Sequence, residues 1–166
     1  QWGKSTITAA KAVHQAVHFP GSTILIAAPY ERQSAELVRR CADFTWKLGF
    51  RRRGDGHNRA SLLLPNGSRI VGLPGQELNI RGFSAPQLIL IDEAAGVPDS
   101  LYHALVPMQA TNDGALWLMS TPRERRGFFY DEWISPDSDW LKITATALDC
   151  PRVSRVWLAR RARRLP

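Results

Sequence analysis

Apolar residues recur along the chain at two spacings. Between Ser5 and about Val17, Ile7, Ala10, Val13 and Val17 fall three or four apart, which predicts a helix. Thr23-Ile24-Leu25-Ile26-Ala27-Ala28 is a continuous apolar run stopped by Pro29, the pattern of a strand buried on both faces. Helix, loop (Phe19 to Ser22) and strand in that order read as the crossover of a parallel sheet. Ser34 to Leu48 predicts a second helix, with Leu37, Val38, Cys41, Phe44 and Leu48 on its apolar side and Gly49 as its stop. The polar, glycine-punctuated stretch from Arg51 to Arg59 is a loop. Ser61 to Leu64 and Ser68 to Val71 flank Pro65-Asn66-Gly67, a hairpin signal, and Leu73 to Asn79 is a further loop.

The next apolar run, Leu88-Ile89-Leu90-Ile91, leads straight into Asp92-Glu93. A turn follows, then a helix capped by Asp99 or Ser100 and running through Leu105. Leu116-Trp117-Leu118-Met119 predicts another strand, ending in Ser120-Thr121-Pro122. Phe128 to Ile134 reads as an amphipathic helix, Trp140 to Ala147 as a last strand, and Val153 to Arg164 as a basic helix. Buried strands alternating with helices predict an α/β protein with a mostly parallel central sheet flanked by helices.

Carboxylates at the end of a doubly buried strand emerge at the rim of the sheet, where α/β proteins bind ligands. Two adjacent acids in a desolvated place are costly without a cation. A metal ion carrying a phosphate would supply one. Gln1-Trp2-Gly3-Lys4-Ser5-Thr6 supplies the phosphate cradle, because it matches the end of a G/A-x-x-x-x-G-K-S/T loop. Gly3 lets backbone N–H groups approach phosphates, Lys4 reaches the β/γ-phosphates as a point charge, and the Ser5 hydroxyl ligates Mg²⁺. Thr6 opens the following helix, whose N-terminus favours an anion. A chance G-K-S-T at a helix start is the competing account, and the downstream Asp-Glu strand weighs against it.

Composition narrows the picture. The chain has 166 residues, enough for one domain with a real core, and no apolar run approaches a membrane span. The opening residues do not read as a signal peptide, and none is expected. Cys41 and Cys150 match no zinc or redox spacing, so a reduced cytosolic setting is expected. His14 and His18 form an i, i+4 pair without a third ligand nearby, and Asp131-Glu132 reads as a solvated helix face. The net charge is +7, with Arg152, Arg155, Arg160, Arg161, Arg163 and Arg164 crowding the last segment and Arg51-Arg52-Arg53 a second cluster. A polyanionic partner and a merely arginine-rich surface both fit that charge.

Taken together, the phosphate loop, Ala28-Pro29 with Gln33, Ile80-Arg81-Gly82, Leu90-Ile91-Asp92-Glu93-Ala94-Ala95 and Met119-Ser120-Thr121-Pro122 resemble the ATPase domain of large terminase subunits, the motors that pump DNA into viral capsids. Arg126-Gly127-Phe128-Phe129-Tyr130 and Cys150-Pro151-Arg152-Val153 add to the resemblance. It implies a P-loop NTPase of the RecA-like (ASCE) kind, with ATP and Mg²⁺ as nucleotide and metal. Gln1 to Thr6 would hold the nucleotide phosphates, Ser5 and Asp92 the metal, and Glu93 the attacking water. Ser120 and Thr121 would be the coupling motif that senses the γ-phosphate. Arg81 would be an arginine finger offered to a neighbouring subunit, and Gln33 with the Tyr30–Arg32 segment would lie near the base.

The resemblance further implies double-stranded DNA, a homo-oligomeric ring, a portal protein and a small terminase subunit as partners. The setting would be the host cytoplasm, at a procapsid portal, with neither membrane nor secretion involved. Residues 1–148 would be the ATPase domain, without the strand before the loop, and 149–166 the start of a linker toward a nuclease domain. The arginine that usually precedes Gln1 in this family is not in the sequence, and lack of the preceding strand is expected to leave a gap in the middle of the sheet. A helicase-like P-loop motor and a catalytically incomplete nucleotide-binding or assembly fragment stay open as alternatives.

Overall fold

The structure is a computed structural model, and it describes residues 3–51, 53–73, 82–136 and 139–162. Helix α1 (Lys4–His18) leads into strand β1 (Thr23–Ala27), and helix α2 (Glu31–Lys47) follows. Strands β2 (Ser61–Leu63), β3 (Arg69–Gly72) and β4 (Leu88–Asp92) come next. Helix α3 (Asp99–Leu105), strand β5 (Ala115–Met119), helix α4 (Phe128–Ile134) and helix α5 (Arg155–Ala162) complete the order.

The strands form one five-stranded sheet in the order β2-β3-β1-β4-β5. β3, β1, β4 and β5 run parallel, and β2 closes one edge as the antiparallel arm of the predicted hairpin. Every residue of β1 is buried, as is Leu88 to Ile91 of β4, which is why both read as unbroken apolar runs. Their side chains divide by parity. Ile24, Ile26, Leu88 and Leu90 pack against Ala9, Ala12, Val13 and Ala16 of α1 and Leu37, Val38 and Cys41 of α2. Leu25, Ala27, Ile89 and Ile91 face Leu101 and Leu105 of α3 and Phe128 of α4. Helices therefore cover both faces, as the alternation of elements requires.

Local chemistry sets the helix ends. Gly49 takes φ +88, a left-handed conformation that suits glycine. Its N–H meets the Trp46 carbonyl at 3.0 Å, and the Phe50 N–H meets that of Thr45 at 3.0 Å, a Schellman stop for α2. The start of α2 differs from expectation. It begins at Glu31, after an extended Tyr30, rather than at Ser34. Ser34 is fully buried in the first turn, and its hydroxyl meets the Glu31 carbonyl at 2.9 Å and the Leu73 carbonyl beyond β3 at 2.8 Å. A residue that looks like a helix cap thus ties the helix to the sheet instead.

Three further expectations need correction. The sheet has no gap, because β1 pairs with β4 and β4 with β5 over continuous registers. The outer edge of β5 has no partner strand among the described residues, and its side chains are half-buried or exposed. Trp140 to Ala147 is not a strand. Its alternating apolar residues find no ladder, leaving Leu141 85% and Ile143 73% exposed. The segment is held by side chains instead, with Trp140 Nε1 donating to Glu132 at 2.7 Å and Lys142 Nζ to the Ser135 carbonyl at 2.7 Å. Glu132 accordingly does not sit on a merely solvated face. It accepts from the Tyr102 hydroxyl at 2.7 Å as well, fastening α4 to α3. The basic helix is described over Arg155–Ala162, and the rest of the span expected for it, to Arg164, lies outside the described residues.

Leu90 sits fully buried at the centre of the sheet, between Ile26 and Trp117. Leu90→Ala is expected to cost about 2–5 kcal/mol of stability, read as a lower urea midpoint at unchanged m-value.

Candidate nucleotide site

The parallel pairing of β1, β4 and β5 brings their C-terminal ends to one rim. Gly3 opens α1 with φ +99 and caps it through its carbonyl, which accepts from Thr6 N–H at 3.0 Å and Ile7 N–H at 3.1 Å. Among the described residues no side chain caps this helix and no acid lies in its first turn, so the first N–H groups and the dipole are left to face an anion. Thr8 fastens the start of α1 to the neighbouring elements. Its hydroxyl meets the Lys4 carbonyl at 2.9 Å and the sulfur of Met119, the last residue of β5.

Lys4 Nζ lies 3.0 Å from Glu93 Oε1, with each side chain about one-third exposed. This ion pair joins residues 89 apart in the sequence and sets the cation of the loop against the acid of the strand. Asp92 is more deeply placed. Burial raises its carboxyl above the usual range, against the opposing pull of the Glu93 N–H, which it accepts at 3.0 Å, and of Lys4. The neighbouring Glu93 charge adds to the rise, and the Ser5 hydroxyl bonds to the carboxylate and lowers it. Glu93 itself adopts φ 50, ψ 44, a left-handed conformation that costs a non-glycine residue about 1–3 kcal/mol. Such strain persists only where its surroundings enforce it.

Asp92, Glu93 and Ser5 line a cleft of about 450 Å³. The opposite wall is the first half of α2, with Arg32, Gln33, Glu36, Leu37 and Arg40. Gln33 lines the same cleft as the two acids, and its Oε1 is buried with no hydrogen-bond partner among the described residues. Arg32 belongs to the Tyr30–Arg32 segment expected near the base, whereas Glu36 and Arg40 were not singled out in the sequence. The i, i+4, i+8 spacing of the three marks one helix face, but only the adjacency of β1 and β4 tells which way that face looks. Ser120, at the end of β5, accepts the Ala95 N–H at 3.0 Å and so touches the turn after Glu93. Thr121 is exposed, and so is Thr6.

Two more arginines approach the rim. Arg123 packs beside Gly96, where a β-carbon would meet its Nη1 at 2.9 Å and Pro29 at 3.1 Å. Arg152 Nη2 lies 3.6 Å from the place of a β-carbon on Gly3. Gln1, Trp2 and Arg81, expected to act at this site, lie outside the described residues.

The architecture is that of a P-loop NTPase, a mixed α/β fold with a five-stranded sheet between helices. Within that class the chain carries the fold of the ATPase domain of large terminase subunits, as its motifs suggested. It is 25% identical over 141 residues to the probable terminase large subunit of Enterobacteria phage P7, covering 78% of this chain and 28% of that protein. The ATPase domain of the Thermus phage P74-26 large terminase superposes with a TM-score of 0.73 at 21% identity, over 98% of this chain and 76% of that one. The large terminase of another thermophilic bacteriophage, solved with ADP, superposes with a TM-score of 0.80 at 16% identity, over 100% of this chain and 43% of that one. No family model matches the chain. The chain thus spans about a quarter of the length of the curated relative.

The buried charge of Asp92 has a thermodynamic consequence. A carboxyl whose folded pKa lies above its unfolded value stabilises the fold while protonated, and that contribution fades as pH rises through the unfolded and then the folded pKa. At neutral pH the ionised form therefore costs stability in the nucleotide-free protein. Asp92→Asn is expected to raise Tm at pH 7 by about 2–4 °C per kcal/mol relieved, with the gain vanishing below about pH 3, near the low end of the carboxyl range. Thermal melts across that range check it.

Proposed function

We propose that this chain hydrolyses ATP with Mg²⁺ and is the ATPase part of a motor that drives double-stranded DNA into a viral procapsid. The observation that carries the reading is the convergence of Lys4 and Ser5 at the head of α1 with Asp92 and Glu93 at the end of β4. Phosphoryl transfer asks for positioning and charge neutralisation more than for covalent chemistry. The open N–H groups of α1 and Lys4 would hold the β- and γ-phosphates. The Ser5 hydroxyl and the Asp92 carboxylate would hold the metal, an oxygen pair that suits Mg²⁺ and relieves the cost of burying Asp92. Held there by Ser5 and Asp92, Mg²⁺ would supply the positive charge that phosphoryl transfer calls for.

Lys4 has two acceptors to choose between. In the structure it pairs with Glu93. A γ-phosphate draws Lys4 away and frees the Glu93 carboxylate to accept a proton from the attacking water. Arg81, from a neighbouring subunit of a ring, would then supply the positive charge still missing, a contribution that reaches about 10³–10⁵ in rate for fingers of this kind. Gln33 lines one cleft with Asp92 and Glu93, which favours a place by the reacting phosphate over one at the base.

Several features support the wider reading. The half-exposed edge of β5 fits the strand that leads into a phosphate loop. Asp55 accepts from His57 N, Asn58 N and the Ser61 hydroxyl, and so braces a loop that leaves Arg51, Arg53 and Arg59 exposed, a surface suited to DNA phosphates. The exposed, arginine-rich α5 fits a linker that begins near residue 149 and leads to a nuclease domain. The portal, the small terminase subunit and a host-cytoplasmic setting follow from the same reading, and no helix among the described residues is long and apolar enough to cross a membrane.

Glu93→Gln is expected to keep Mg-ATP binding and lose steady-state turnover, and continued hydrolysis would reject Glu93 as the water-side acid. Mixing Arg81→Ala chains with Glu93→Gln chains is expected to restore turnover in mixed rings. No recovery in verified mixed rings would reject a finger acting between subunits. DNA engagement should weaken steeply with salt and ignore base sequence, whereas a salt-insensitive or sequence-selective complex would contradict the proposed phosphate contacts.

A further inference from the structure

Ala94–Gly96 forms a short 3-10 turn whose N-cap residue is Glu93. An N-cap side chain ordinarily accepts a hydrogen bond from the backbone N–H two or three residues on. Glu93 does not, because its carboxylate is turned to Lys4 at 3.0 Å. The acceptor comes from a different strand. Ser120 Oγ receives the Ala95 N–H at 3.0 Å while its own proton goes to the Thr121 carbonyl at 3.1 Å. The rest of the turn is closed by Gly96 N–H to the Glu93 carbonyl at 2.8 Å and Val97 N–H to the Ala94 carbonyl at 3.0 Å.

We infer that Ser120 is a positioning residue for Glu93: it caps the catalytic turn in place of the glutamate, which holds the strained backbone of Glu93 and leaves its carboxylate free for the attacking water. The inference rests on the ATPase reading above and differs from a sensor role, in which Ser120 would touch the γ-phosphate. A local N-cap would spend the Glu93 side chain on its own backbone. Capping from the end of β5 avoids that conflict, and it makes the left-handed Glu93 depend on where the tip of the neighbouring strand sits.

The test uses the full natural polypeptide with Ser120→Ala and Ser120→Thr. Ser120→Ala is expected to lower kcat by on the order of 10²-fold, the scale of an ångström-sized misplacement, with ATP and ADP affinities within about twofold of the parent. Ser120→Thr, which keeps the hydroxyl, should recover most of the rate. In a Glu93→Gln background, Ser120→Ala should change residual turnover no further. Amide hydrogen exchange at Ala95 gives a readout without nucleotide: protected in the parent and in Ser120→Thr, faster in Ser120→Ala. An unchanged kcat in Ser120→Ala, or a parent Ala95 amide that exchanges like a free loop amide, overturns the inference. A selective loss of ATP over ADP affinity also overturns it, in favour of direct phosphate contact. A parent that does not hydrolyse ATP removes the ATPase reading and this inference with it, whereas an active parent indifferent to Ser120→Ala removes this inference alone.

Discussion

The parallel register of β1, β4 and β5 is the constraint on which the rest depends. It forces three strand ends and the start of α1 to one rim, and it puts Asp92, with Glu93 beside it, where burial makes the Asp92 charge expensive. Each nearby contact answers that cost. Lys4 pairs with Glu93, Ser5 and the Glu93 N–H bond to Asp92, and Thr8 pins the start of α1 to the Lys4 carbonyl and to β5. The apolar layers on both faces of the sheet keep these groups from drifting apart, since a slip in register would move each aliphatic side chain into the layer packed for its neighbour.

The same constraint separates two jobs that a single glutamate could not do together. As the N-cap of a turn, Glu93 would ordinarily satisfy backbone donors. As the acid beside Lys4, it must point into the cleft. Ser120 takes over the first job from across the sheet. Arg123 lies beside Gly96 at the end of the same turn. The end of β5 is thus joined both to the turn after Glu93, through Ser120, and to the phosphate helix, through Met119 and Thr8. Movement of that strand end would be felt on both sides of the cleft.

Much of this was legible in residue order. The unbroken runs at β1 and β4, the Asn66-Gly67 hairpin and the G-K-S-T helix start each follow from local pattern, and the structure bears out the strands, the hairpin and the helix. What failed were inferences that need a partner. Trp140 to Ala147 has the composition of a strand, but β propensity describes fit to a neighbour, and among the described residues none is there. Ser34 was read as the start of α2, yet the helix begins at Glu31 and the Ser34 hydroxyl reaches the Leu73 carbonyl 39 residues away. The Ser120–Ala95 contact spans 25 residues and two strands, so no local periodicity could reveal it. Arg32, Glu36 and Arg40 had a readable spacing and lacked only a direction.

The central claim is that Lys4, Ser5, Asp92 and Glu93 form one site for a metal-bound nucleoside triphosphate. The most direct measurement is a calorimetric titration of the full natural polypeptide with ATP, with and without Mg²⁺, beside the same titration of Lys4→Ala. The account predicts saturable one-site binding that strengthens with Mg²⁺ and is lost in Lys4→Ala. Binding that ignores both Mg²⁺ and Lys4, or no binding to the parent protein, would contradict it.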